Sequence, residues 1–180
     1  MMFGRLSKQP EWLRANLGLE PRQAKRRGAE ARQSLRLESL VFSRWCQVML
    51  HFERGLYANP DQDLSRLWWD LVEKYQGLRR PEGRAEPDYA SKIHLVSDPV
   101  YYHNYMMGEL FASQLHHALA GHLGIKDPAA FAYTGRREVG QFLKEKVFGP
   151  GARYPWNEFV TFATGEPLTA GYYAQDFVKE

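Results

Sequence analysis

A chain of 180 residues with 44% hydrophobic content is long enough to bury one sizeable core. Its net charge of +3 is small, and the basic run Arg22, Lys25, Arg26, Arg27 and Arg32 alternates with Glu20, Glu30 and Glu38, which describes a solvated helix face rather than a nucleic-acid surface. No run approaches the roughly 18 apolar residues of a membrane span, and a lone cysteine, Cys46, excludes an internal disulfide.

In chain order, Pro10 to Leu17 reads as a short helix closed by Gly18. A second helix starts at Pro21 and carries the basic residues; Gly28 interrupts it, although Ala29, Ala31 and Leu35 are able to carry it on. The strongest helical signal covers 34 to 57. There Leu37, Val41, Trp45, Val48, Phe52 and Leu56 recur every three or four residues, and Phe42, Cys46 and Met49 widen the stripe. Cys46 is expected to be a small buried hydrophobe. Asn59-Pro60-Asp61 is expected to cap a helix over 60 to 76 that Gly77 stops. Within it the adjacent Trp68 and Trp69 face different neighbours.

Two prolines, a glycine and five charges make Arg79 to Pro87 a surface loop. A strand-like segment, Ser91 to Val96, follows, then a long helix over 99 to 123 with Asp98 as N-cap and Pro99 at the first helical position. Asp127-Pro128 starts a short helix to Ala132, and Arg136 to Phe148 another. Pro155 opens one that runs to Thr164, and Thr169 caps a last one from Ala170 to Val178. The fold class is therefore mostly α with one short extended segment. No linker is long enough to divide the chain, so residues 1–180 read as a single helical domain.

Metal chemistry asks first for histidines at helical chelating spacing. His116, His117 and His122 fail that test: spacings of five and six put the rings about 140° and 120° apart on a helix. They read as packed or surface residues. No Gly-x-Ser-x-Gly elbow and no glycine-rich phosphate loop is present, and Cys46 lacks polar neighbours that would activate it.

One stretch does concentrate binding chemistry. Lys92 and His94 are two apart, hence on one side of a strand, and Tyr102 and Tyr105 are three apart, hence on one face of a helix start. A cation, an imidazole and two phenols near the positive end of a helix dipole suit an anionic ligand such as a peptide carboxylate. The same residues also read as a solvated lysine and two core tyrosines with satisfied hydroxyls.

The order of these pieces carries a resemblance. Leu67-Trp68-Trp69-Asp70-Leu71-Val72-Glu73-Lys74-Tyr75-Gln76-Gly77-Leu78, then Lys92-Ile93-His94, then Tyr102-His103-Asn104-Tyr105 resembles the C-terminal part of the angiotensin-converting enzyme family, in its bacterial branch. The likeness runs from roughly Leu37 to the end, through Phe142-Leu143-Lys144 and Ala163-Thr164-Gly165-Glu166-Pro167. That family consists of zinc dipeptidyl carboxypeptidases with a largely helical, two-lobed fold. The resemblance implies that Lys92 and Tyr102 hold the substrate's C-terminal carboxylate, that His94 binds the peptide backbone near the scissile bond, and that Tyr105 hydrogen-bonds the tetrahedral oxyanion.

Two departures limit it. Val72 and Asn104 stand where the animal enzymes place chloride-binding arginines, so chloride dependence is not implied. The family's His-Glu-x-x-His and downstream glutamate ligand are absent. The implied protein is thus the C-terminal portion of a zinc metallopeptidase catalytic domain, inactive by itself, with a peptide substrate and the missing N-terminal portion as partners. The alternative is a non-catalytic helical binding or assembly domain that retains the peptidase fold. Neither reading involves nucleic acid or membrane. A stripped cleft surface would favour a homodimer, and a chain opening with no signal peptide points to the cytoplasm.

Overall fold

In the computed structural model, which describes residues 2–178, the chain runs α1 (Met2–Leu6), α2 (Pro10–Leu17), α3 (Pro21–Ala58), α4 (Leu64–Gln76), α5 (His103–His122), α6 (Arg137–Leu143), α7 (Trp156–Thr164) and α8 (Gly171–Phe177). No strand occurs among the described residues, and the fold is mostly α, as the apolar periodicity requires. Two compact units divide it, one of residues 2–37 with 108–178 and one of residues 38–107. Both boundaries fall inside helices rather than at a linker.

α3 carries on through Gly28 and joins the helix expected from Pro21 to the one expected over 34 to 57, making one helix of 38 residues. The glycine serves a close approach. A Cβ on Gly28 would lie 2.9 Å from Pro10 Cγ and 3.2 Å from the Lys8 carbonyl oxygen, so α2 rests against α3 where no side chain intervenes.

In the unit of residues 38–107, α3 and α4 bury Cys46, Val48, Met49, Phe52, Trp68 and Val72 together with Tyr102. The two adjacent tryptophans do diverge. Trp68 packs edge-on against Trp45 and Phe52 at 5.7 and 5.2 Å between ring centroids, whereas Trp69 Nε1 donates to Asp88 at 3.1 Å. Asp63, not Asn59-Pro60-Asp61, caps α4, accepting from the Arg66 amide. Gly77 closes that helix in the left-handed region, where glycine alone carries no Cβ penalty. The 79–87 loop is pinned by Arg84, which reaches Asp88 with two nitrogens and holds its carboxyl below the usual range.

The expected strand at Ser91 to Val96 is not formed. Two 3-10 turns, Asp88–Ser91 and Ile93–Leu95, occupy it, and extended backbone survives only at Lys92 (φ −91°, ψ 100°). The following helix also begins later than Asp98-Pro99 predicts. Residues 97–101 form a turn in which Val100 takes φ 56°, a left-handed value unusual for a β-branched residue. Its amide donates to the buried Glu53 carboxylate at 2.5 Å, so a charge-assisted bond offsets the backbone strain.

In the unit of residues 2–37 and 108–178, α5 and α6 close a core of Leu115, Leu119, Phe131, Tyr133, Val139, Phe142 and Leu143. Gln114 is fully buried and staples the turn after α7, its Nε2 reaching Thr164 Oγ1 at 2.8 Å and its Oε1 accepting from the Thr169 amide at 2.9 Å. The short helix expected after Asp127 is a 3-10 turn, Pro128–Ala130. The helix expected over 136 to 148 changes at Lys144 into a π turn, Lys144–Phe148. The last helix starts one residue later than expected: Ala170, without a side-chain cap, is the N-cap of α8, and Thr169 Oγ1 accepts from the Gly171 amide just before it.

Helix glycines provide a check on this packing. Gly28→Ala should lower stability by about 1 kcal/mol, because the contact with Pro10 outweighs the roughly 1 kcal/mol of helix propensity that alanine adds. Gly121→Ala, where a Cβ meets nothing within 4 Å, should raise stability by a similar amount. Urea denaturation of the two variants reads both signs.

Candidate functional site

The segment 91–105 brings its chemistry to one place through aromatic packing on α3 and α4. Tyr102 immediately precedes α5 and Tyr105 lies in its first turn, with the Tyr105 amide donating to the Tyr102 carbonyl at 3.2 Å. The rings of Tyr102 and Tyr105 sit 5.0 Å apart. His94, carried on the second 3-10 turn, meets both: its ring lies edge-on at 4.9 Å from Tyr102 and 5.8 Å from Tyr105. The Tyr105 hydroxyl is 3.4 Å from His94 Nε2.

Lys92 joins this group through Trp45. Its Nζ lies 5.2 Å from the centroid of the Trp45 ring and 6.0 Å from that of Trp68, within cation–π range of both. The same Trp45 donates its indole N–H to the Tyr102 hydroxyl oxygen at 2.8 Å. All four residues singled out in the sequence therefore belong to one cluster, and Trp45 is the residue that sequence reasoning missed. It appeared there only as one member of an apolar stripe. Its signal, an amphipathic indole at the polar margin of that stripe, is visible only once α3 is placed.

Solvation differs across the cluster. Tyr102 is buried at 8% exposure, and burial pushes its phenol above the ordinary value while the Trp45 donor pulls it partly back. Lys92, His94 and Tyr105 are half-buried. Chemically the cluster offers an ammonium, an imidazole and two hydroxyls, a set able to donate to anions and polarised carbonyls.

The three remaining histidines singled out in the sequence lie in the other unit and are structural. His116 is buried and bonded at both ring nitrogens: Nε2 donates to the Pro128 carbonyl at 2.7 Å, which leaves Nδ1 to accept from the Tyr133 hydroxyl. Burial holds its imidazolium form below the ordinary range. His117 Nε2 is 2.7 Å from Asp176, which Arg5 also grips at 2.5 Å. Burial works to raise the Asp176 carboxyl, but His117 and Arg5 together hold it below the usual range. His122 packs its ring 5.0 Å from that of Phe142. Among the described residues no three His, Cys, Asp or Glu side chains converge to hold a metal ion, and no helix is long and apolar enough to cross a membrane.

Raised phenol values carry a pH signature. Tyr102 binds its proton more tightly folded than unfolded, so its contribution to stability is fully present below pH about 10 and is lost as pH rises through its folded value. Comparing urea denaturation at pH 8 and pH 10.5, Tyr102→Phe should lose less stability between the two than the native chain does. At pH 8 it should already be about 1–3 kcal/mol less stable, because the Trp45 N–H has lost its acceptor.

Comparison with known proteins bears on this cluster. Residues 55–172 match the family described as angiotensin-converting enzyme. Among individual proteins, angiotensin-converting enzyme of Mesocricetus auratus is 32% identical over 123 residues, 66% of this chain and 9% of that protein. The enzyme of Sus scrofa is 32% identical over 120 residues, 64% of this chain and 9% of that protein. An angiotensin-converting enzyme-like protein of Mus musculus is 28% identical over 140 residues, 72% of this chain and 18% of that protein. The chain thus spans about a tenth of the length of the first two relatives. No solved structure matches it.

Proposed function

This chain belongs to the angiotensin-converting enzyme family of peptidases, and we propose that it forms the C-terminal portion of the catalytic domain of a zinc carboxypeptidase. In this reading Lys92 and Tyr102 take the C-terminal carboxylate of a peptide. His94 holds the peptide backbone beside the scissile bond, and Tyr105 donates its hydroxyl to the oxygen that gains negative charge on attack. The observation that carries the reading is the clustering of these four side chains: Lys92 and Tyr102 meet on Trp45, and both phenols and the imidazole lie within 6 Å of one another by ring centroid.

The chemistry follows from the groups. An ammonium that makes no ion pair among the described residues keeps its full charge for a carboxylate, and the Tyr102 hydroxyl adds a neutral donor. A phenol placed against a developing oxyanion lowers the barrier by a few kcal/mol, as other preorganised donors do. His94, 3.4 Å from the Tyr105 hydroxyl, orients it.

The donor set of these residues does not fit zinc, so no step is assigned through the ion. Zinc, where bound, would polarise the scissile carbonyl and activate water from ligands on polypeptide outside this chain. By itself the chain is accordingly inactive, its role being to hold substrate.

Assayed on short peptides with added zinc, this chain alone should show no hydrolysis; turnover that a chelator abolishes would reveal a metal site in it. In the longest zinc-loaded polypeptide containing this chain, Lys92→Ala should raise KM for peptides with a free carboxylate at least tenfold. Tyr105→Phe should lower kcat about 10²-fold. Unchanged turnover in both variants would instead mark a helical domain kept for binding or assembly.

A further inference from the structure

We propose that Trp45 is a positioning residue that makes the Lys92–Tyr102 pair selective for a carboxylate over a neutral C-terminus. The proposal rests on the carboxylate-binding reading given above and assigns its selectivity to a residue outside the four that bear it.

An indole nitrogen is a donor and never an acceptor, so in the 2.8 Å contact between Trp45 Nε1 and the Tyr102 hydroxyl the phenol oxygen accepts. That fixes the rotor. With its lone pair turned to the indole, the hydroxyl proton points away from Trp45, and Tyr102 presents a donor to whatever lies opposite. With the Lys92 ammonium it makes two donors, which a carboxylate meets with two oxygens, whereas an amide meets one with its carbonyl and leaves its NH2 against the other. Burial of the phenol strengthens the constraint, because water cannot readily supply an alternative partner.

The face of the same ring acts on Lys92. The Nζ lies 5.2 Å from the Trp45 centroid and 6.0 Å from that of Trp68, so two π-surfaces cradle the ammonium without neutralising it. One side chain thus sets the donor direction of Tyr102 through its edge and the place of the Lys92 charge through its face. It can do so because it is itself held: Trp45 and Trp68 are packed at 84°, and Trp68 meets Phe52 at 88°.

Edge and face are separable by substitution. Trp45→Phe keeps an aromatic face for Lys92 and removes the N–H, and replacement by benzothienylalanine removes the N–H while keeping the bicyclic shape. The probe is N-acetyl-alanyl-leucine, as free acid and as C-terminal amide, titrated into the native chain and each variant and followed by NMR. The native chain should bind the acid at least tenfold more tightly than the amide, and both variants should reduce that preference below threefold. A second reading needs no ligand. Losing the indole donor should move the Tyr102 phenol titration to higher pH, which a packing defect would not do selectively.

The failures are distinct. If the native chain shows no preference for the acid, the carboxylate reading falls and this proposal with it. If the native chain prefers the acid and the benzothienylalanine variant retains the full preference, the carboxylate reading stands and the role of Trp45 is overturned. The isosteric variant keeps that outcome decisive should Trp45→Phe fail to fold.

Discussion

The site depends on the packing of Trp68 edge-on against Trp45 and Phe52. Edge-to-face aromatic pairs contribute about 0.5–1.5 kcal/mol each beyond the area they bury, and Phe52 and Trp68 are almost wholly withdrawn from solvent. By comparison the Trp45–Tyr102 hydrogen bond is worth about 1 kcal/mol net, and a half-exposed cation–π contact about 0.5–1. The apolar terms are larger, so the core fixes Trp45 and Trp45 fixes the polar tips.

Much of the helical framework is legible in the sequence because apolar spacing and left-handed glycines leave little choice. The α4 stop at Gly77, the α7 stop at Gly165 and the divergence of Trp68 from Trp69 all follow from geometry that is local to the chain. Where reading fails, a tertiary contact has overridden a local rule. Gly28 looks like a breaker, yet the helix continues because that glycine is wanted for the approach of Pro10, eighteen positions away in the chain and invisible to a window. Asp98-Pro99 looks like a helix start, yet Glu53 captures the Val100 amide and delays the helix to His103.

The same distinction runs through the candidate site residues. Lys92, His94, Tyr102 and Tyr105 lie within fourteen consecutive positions, and their ordered spacing resembles a known family, so they can be picked out before any coordinates. Trp45 cannot, since its contacts with Tyr102 and Lys92 span 57 and 47 positions. The histidines of the other unit show a similar limit. Spacing alone separates His116 and His117 from chelating pairs, but not the partners that fix them: Asp176 lies 59 positions from His117, and Arg5 a further 112 from His117 in the opposite direction.

The bond between Glu53 and the Val100 amide links the histories of two positions. A left-handed valine costs roughly 1–2 kcal/mol, which the bond to the acid at 53 helps to offset. Drift at 53 toward a shorter or neutral residue is then tolerable chiefly in lineages where 100 has already become glycine or asparagine. Homologues should therefore divide into those with an acid at 53 and freedom at 100, and those with no acid and a small residue at 100. The turn that delivers Tyr102 and Tyr105 would be inherited through either pairing.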